Sequence, residues 1–255
     1  MRKVLFAFAV CALAAFTAAV AAQGWSDETE RVSRTLPLEP GGTLRLNSFS
    51  GRVTVTGSDR SEVVIDAVRR APRERLNRIT LDIHPDGSRT VVVEANRRDR
   101  SWFMFTGSTV VDTDFDIKVP QRTNLDLNVF SASVSVDGVE GSQKLNGFSS
   151  RITLNDVAGS VRAHTFSGSI IVRAKTWEPN QSVDLDTFSG NIELHVPENA
   201  RGLVSFNSFS GHLNSEMPLT LHSGRGRRSL TAELGGGGEG TLRFKTFSGN
   251  VRIDR

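Results

Sequence analysis

The chain has 255 residues, 31 of them basic and 28 acidic, for a formal charge of +3. Two of the cations, Arg2 and Lys3, open the N-terminal run, so the rest is almost neutral and lacks the basic excess that drives nucleic-acid binding by counterion release. The one cysteine, Cys11, lies in the same run, which excludes disulfides and thiolate chemistry from everything after it.

In chain order, Arg2 and Lys3 precede an apolar, alanine-rich stretch from Val4 to Ala22 that ends in small residues. Residues 1–22 therefore read as a secretory signal peptide, cut after Ala21 or Ala22, because a polar segment follows at once and no second apolar span exists. Phe8-Ala9-Val10 before Cys11 does not make a lipoprotein box. The expectation is export to the periplasm or cell surface, with no stable membrane span after cleavage. Residues 23–35 read as a loose polar leader, and 36–255 as a single domain.

That domain is built on a phrase said seven times. It occurs as Phe49-Ser50-Gly51, Phe130-Ser131-Ala132, Phe148-Ser149-Ser150, Phe166-Ser167-Gly168, Phe188-Ser189-Gly190, Phe209-Ser210-Gly211 and Phe247-Ser248-Gly249. From the second to the sixth, the phenylalanines are 18, 18, 22 and 21 residues apart, and repetition at that period marks a solenoid whose units bury their apolar faces only by stacking. Five and three residues before the phenylalanines stand almost uniformly apolar side chains, such as Leu44 and Leu46, Leu125 and Leu127, or Val183 and Leu185, with Gln143 the polar one. Four and six residues after them stand pairs such as Val53 and Val55, Ile152 and Leu154, or Ile192 and Leu194. This period-two alternation predicts two half-buried strands per unit, joined by a bend at Ser-Gly where glycine reaches positive φ without steric cost. The phenylalanine shares the parity of the inward positions after the bend, which predicts a stack of rings inside. A second turn closes each unit: Asp137-Gly138-Val139-Glu140-Gly141 recurs 18 residues later as Asn155-Asp156-Val157-Ala158-Gly159.

The first coil is expected at 43–57, inserted strands at 61–119, main coils at 124–215, and an irregular loop with the last coil at 216–255. Within the insertion, Glu62–Val68, Ile79–Ile83, Thr90–Glu94 and Val110–Val119 read as strands. Pro85-Asp86-Gly87-Ser88 turns one antiparallel hairpin, and residues 71–76 suggest one helical turn. The insertion also holds Arg97, Arg98, Arg100, Trp102, Phe103 and Phe105, a set that fits either a partner-binding anchor with a charged rim or a cap over the solenoid's open end. Near the other end, Gly235-Gly236-Gly237-Gly238-Glu239-Gly240 precedes a strand and not a helix, so it reads as a flexible connection and not a phosphate loop. The fold class is thus all-β: a single-stranded parallel β-helix (β-solenoid) with an inserted antiparallel hairpin near its N-terminus.

Asp114-Phe115-Asp116-Ile117-Lys118-Val119-Pro120, leading into Leu125-Asp126-Leu127, together with the Ser-Gly turns and Gly138-Val139-Glu140-Gly141, resembles the bacterial putative-adhesin β-solenoid family, an exported domain of unknown function. The resemblance runs from about Leu36 to Asp254. It implies a β-helix and a cell-envelope role, and it brings no established catalytic residues. The chain departs from it at Ala132 and Ser150, where the turn glycine is replaced.

No catalytic constellation emerges beside it. His84, His164, His195, His212 and His222 share no metal-ligand spacing, so no metal or cofactor is expected. Asp126, Asp184, Asp186 and Glu193 face outward on neighbouring units and would be the carboxylates of a polysaccharide-active β-helix enzyme, but a solvated strand face carries such residues anyway. The reading preferred on these grounds is a non-enzymatic, adhesin-like or scaffold protein that binds an unknown envelope protein or glycan.

Overall fold

Alternating apolar residues on both sides of each Phe-Ser turn give two strand segments per repeat, continuous as one strand in the first two repeats, and the computed structural model, which describes residues 27–98, 110–224 and 229–255, joins them in one mixed sheet of 19 strands. The architecture is all-β and solenoid-like. The N-terminal part comprises β1 (Glu28–Pro37), β2 (Gly42–Ser58), β3 (Glu62–Ala71), the short helix α1 (Arg73–Arg78), β4 (Ile79–Pro85), β5 (Thr90–Arg98) and β6 (Asp112–Pro120). The repeats follow as β7 (Thr123–Asp137), β8 (Gln143–Ser149), β9 (Ile152–Val157), β10 (Val161–Ser167), β11 (Ile170–Ala174), β12 (Ser182–Ser189), β13 (Ile192–His195), β14 (Gly202–Ser210) and β15 (Leu213–Ser215). The chain ends in β16 (Leu219–Gly224), β17 (Ser229–Leu234), β18 (Thr241–Ser248) and β19 (Val251–Asp254).

Equivalent residues of successive repeats lie side by side. Before the turn, Leu44, Leu125, Gln143, Val161 and Val183 form one parallel, in-register row; after it, Val53, Val134, Ile152, Ile170 and Ile192 form another. Both rows are buried in one continuous core, where each full-sized aliphatic side chain contributes about 1.5–3 kcal/mol relative to its exposed state. Gln143 is the polar exception. Its Nε2 donates to the carbonyls of Val139 at 3.3 Å and Gly141 at 3.4 Å, both in the turn that closes the preceding unit.

The inserted strands extend both rows beyond the first coil. β5 runs parallel to the first half of β2 and pairs antiparallel with β4, while β6 runs parallel to the second half of β2 and carries β3 and then β1 antiparallel outside it. Residues 28–35, expected to be a loose leader, are instead the greater part of β1. Their sequence shows no alternation because β1 is an edge strand exposed along almost its whole length, held by its backbone ladder to β3. Arg69 of β3, 4% exposed, locks this edge by donating to the Glu30 carboxylate and to the Ile79 carbonyl.

The order of coils in space is not their order in the chain. β18 lies between β12 and β14, aligning Leu242 with Val183 on one side and Val204 on the other, and β19 lies likewise between β13 and β15. The last coil therefore forms an interior rung and the sixth coil an outer one. Residues 216–240, expected to be irregular, explain this arrangement. β16 and β17 form an antiparallel pair, and β17 closes the outer edge of β14, leaving the slot between β12 and β14 for β18.

The second turns also stack, through isolated parallel bridges from Arg122 to Glu140 and from Glu140 to Ala158. In this row Asp156 sits at φ 49, where the preceding unit has Gly138 at φ 63. A Cβ on Gly138 would meet nothing within 4 Å, so Asp156 is held there at a conformational cost without a steric one. Asp156→Gly should raise stability by about 0.5–1 kcal/mol, read from the midpoint of urea unfolding. An unchanged or lower midpoint would show that the Asp156 side chain contributes more than its backbone costs.

Candidate functional site

The seven repeated phenylalanines form a single column, but on the outside. Successive rings from Phe49 through Phe130, Phe148, Phe166, Phe188 and Phe247 to Phe209 are 4.6–5.0 Å apart between centroids and inclined by 2–18°. Each is 38–56% exposed, so the expected internal stack is corrected. The inward parity of the strand before the turn runs one residue further than the pattern suggested. The position just before the ring is the buried one, occupied by Ser48, Val129, Thr165, Thr187, Ser208 and Thr246, which turns the ring to solvent. Apart from Val129 these are small polar residues, which an apolar-pattern search passes over: Thr187 Oγ1 donates to the Gly168 carbonyl at 3.1 Å and Thr165 Oγ1 to the Phe148 carbonyl at 3.3 Å, while the hydroxyls of Ser208 and Thr246 are buried without a hydrogen-bond partner.

Ser-Gly follows five of the seven rings because the stacked turns are in backbone contact. At Gly168 and Gly190, with φ of 144° and 157°, a Cβ would lie 2.0 Å from the carbonyl oxygen of the neighbouring turn. Gly51 and Gly249 hold positive φ as well, whereas Gly211 is set only by close approach, to the Gly249 carbonyl and to Ser208 Oγ. Ala132 and Ser150 take the same place without positive φ; both are buried, and the Ser150 amide donates to the Ser167 carbonyl at 2.9 Å. Ala132→Gly should therefore lower stability, by about 0.5–1 kcal/mol, through added unfolded-state entropy. A higher thermal midpoint for this variant would mean that the alanine is strained.

Polar rows flank the rings. Two residues before them, Asn146 Nδ2 donates to Asn128 Oδ1 at 2.9 Å, and His164 lies 3.5 Å from Asp186. Four residues before them, Asp126 stands between Arg45 at 3.9 Å and Lys144 at 3.6 Å, and Asp184 between Arg162 at 3.6 Å and Arg243 at 3.7 Å. Three of the four carboxylates weighed as catalytic are thus partnered by cationic or histidine neighbours. Glu193 is in β13, on the row after the turn, and does not join them. At the start of the column an open groove of about 470 Å³ is lined by Phe49, Phe130 and Phe148 with Asn47, Asn128 and Asn146, and bounded by Ala95 and Asn96 of β5.

Beside the first turn, Ser50 Oγ donates to Asp112 at 2.9 Å and the Arg52 amide donates to Asp114 at 2.9 Å. Burial favours the neutral form of Asp114, but the Arg70 guanidinium at 2.7 Å, the Arg52 amide and both positive charges outweigh it and hold the carboxyl below its ordinary range. A folded pKa lower than the unfolded one, near 3.9, contributes stability above that value and loses it as pH falls through the folded pKa. Asp114→Asn should consequently flatten the acid limb of stability against pH below about pH 4. An unchanged slope in that window would remove Asp114 from the account.

Of the residues singled out as anchor or cap, Arg97 and Arg98 fall at the end of β5, while Arg100, Trp102, Phe103 and Phe105 lie outside the described residues. Among the described residues no group of three His, Cys, Asp or Glu side chains is placed to hold a metal, and no helix is long and apolar enough to cross a membrane.

Residues 110–254, which include the second to seventh phenylalanines of the column, match the Toastrack DUF4097 family, and that is more than half of the chain. The chain belongs to this family. Membership bears out the resemblance drawn from the Ser-Gly turns and from Gly138-Val139-Glu140-Gly141. Among solved structures, a putative cell adhesion protein from Clostridium sporogenes is similar over 88% of this chain and 99% of its own, at 9% identity and a TM-score of 0.50. A putative adhesin from Bacteroides fragilis covers 88% and 97%, at 9% identity and a TM-score of 0.40. No curated protein matches. At such identities the Clostridium structure speaks to the Toastrack fold alone.

Proposed function

We propose that this Toastrack protein is an exported, non-enzymatic, adhesin-like or scaffold component of the bacterial cell envelope that holds another envelope component against its aromatic column. The architecture on this reading is a single-stranded parallel β-helix whose first coil carries an inserted antiparallel hairpin. The observation that carries the function is the column itself: seven large apolar rings, each 38–56% exposed, on a face that otherwise alternates polar and charged rows. A contiguous apolar strip of this kind on a soluble domain marks an interaction surface. A polysaccharide-active alternative is disfavoured because Asp126, Asp184 and Asp186 are engaged by cationic or histidine neighbours. The test is retention of residues 23–255 by washed envelope fractions, run beside a polysaccharide depolymerisation assay. Saturable retention without depolymerisation is expected; turnover of a polysaccharide, or no retention, overturns the reading.

The segment with Arg97, Arg98, Arg100, Trp102, Phe103 and Phe105 belongs to the same proposal as a cap on the N-terminal end, with a partner anchor as its competing role. As a cap, the double substitution Trp102→Ala and Phe103→Ala lowers the thermal midpoint and promotes aggregation. As an anchor, it leaves the midpoint in place and abolishes retention. Full stability with full retention excludes both.

A further inference from the structure

We infer that the component held by the phenylalanine column is an anionic phospholipid surface, an inference that rests on the column being the contact face. The chemistry of the rings excludes the most obvious alternative. Their planes are nearly parallel at 4.6–5.0 Å, so each interior ring spends both faces on its neighbours and offers only its edge. A sugar that stacks on an aromatic platform needs a free face, whereas acyl chains and headgroup carbons pack against edges equally well.

The column is also uniform along its length. Seven identical rings at one spacing make a straight ridge of roughly 28 Å, six steps at the inter-strand distance of about 4.7 Å. A folded protein docked on such a ridge gains almost nothing from one register over the next, because a slip by one rung restores the same contacts. A fluid apolar layer requires no register. The neutral side chains beside the rings, serines after them and asparagines such as Asn128 and Asn146 before them, suit the hydrogen-bonding zone of lipid headgroups.

Charge complementarity selects the headgroup. On the rungs from Phe130 to Phe247, the flanking rows hold Lys144, Arg151, Arg162, Arg243 and Lys245 against the carboxylates Asp126, Asp184 and Asp186. The cationic side chains of the row four residues before the rings are 51–70% exposed on these rungs, while the carboxylates between them are 25% exposed. An approaching surface therefore meets the cations first, and an anionic one is attracted to each of them.

The experiment is co-sedimentation of residues 23–255 with vesicles of phosphatidylglycerol and phosphatidylethanolamine, and with phosphatidylcholine alone. Binding to the anionic vesicles is expected, weakening as salt rises through the range that shortens the screening length. The triple variant Phe130→Ser, Phe166→Ser, Phe188→Ser should lose affinity by at least about tenfold, and the matched Phe→Leu triple, which keeps apolar area on the ridge and controls for folding, should retain most of it. Lys144→Gln with Arg162→Gln and Arg243→Gln should abolish the preference for anionic vesicles. Absence of vesicle binding, equal binding by wild type and the Ser triple, or indifference to headgroup charge overturns the inference. If envelope retention persists while vesicle binding fails, the envelope role stands and the lipid does not; a dimer that the Ser triple dissociates, without vesicle binding, makes a second copy the occupant instead.

Discussion

Gly190→Ala should lower the free energy of unfolding by about 2–5 kcal/mol, against about 1–2 kcal/mol for Gly87→Ala. Both glycines hold positive φ, so both substitutions incur a conformational cost. They differ in space. A Cβ at Gly87 meets nothing within 4 Å, whereas at Gly190 it falls 2.0 Å from the Gly168 carbonyl oxygen, which belongs to backbone and cannot rotate away. Relieving that contact requires two rungs to separate, and the separation is resisted by the parallel hydrogen bonds and by the buried Ile170 and Ile192 on either side. Denaturant midpoints with unchanged slopes would measure the difference directly. Equal losses at the two positions would show that φ, and not the approach of neighbouring turns, is what selects glycine in the repeated phrase.

Deleting residues 241–255 should abolish cooperative folding, although they are the last in the chain. In a solenoid read in chain order, such a deletion removes an end rung and leaves the others standing. Here it removes β18 and β19 from between β12–β13 and β14–β15, and it exposes unpaired parallel edges on both sides of the gap, which invites aggregation. The single substitution Phe244→Ala tests the same rung more gently. Phe244 is completely buried and aligned with Leu185 and Phe206, so its truncation should cost about 3–5 kcal/mol. Phe247→Ala, three residues on, removes a ring that is 44% exposed and should cost less, about 1–3 kcal/mol for its two stacking contacts. A truncated protein that unfolds cooperatively near the wild-type midpoint would place the last coil at an end.

What the amino-acid sequence by itself determined is the content of a rung. Leu44, Leu125, Val161 and Val183 declare an inward row by simple alternation, and Phe-Ser-Gly declares the bend, because both depend only on neighbours within a few residues. The parity of the phenylalanine was beyond it. Thr165, Thr187 and Thr246 are buried despite their hydroxyls, and it is the stack that brings Thr165 and Thr187 the carbonyls of the neighbouring turn to which they donate. β1 was hidden for a related reason: an edge strand buries little of itself, and what holds it, its ladder to β3 and Arg69 beneath it, comes from residues 25 to 43 positions away. The charge row told the same story, since Asp126 looked free until the stack set Arg45 and Lys144 on either side of it. The tertiary structure alone decided the order of the rungs. Every coil carries the same inward rows and the same turn, so the fit of β18 against β12 is locally much like its fit against any other coil. Its place was settled by the pairing of β17 with the outer edge of β14, an antiparallel contact that no repeat period encodes.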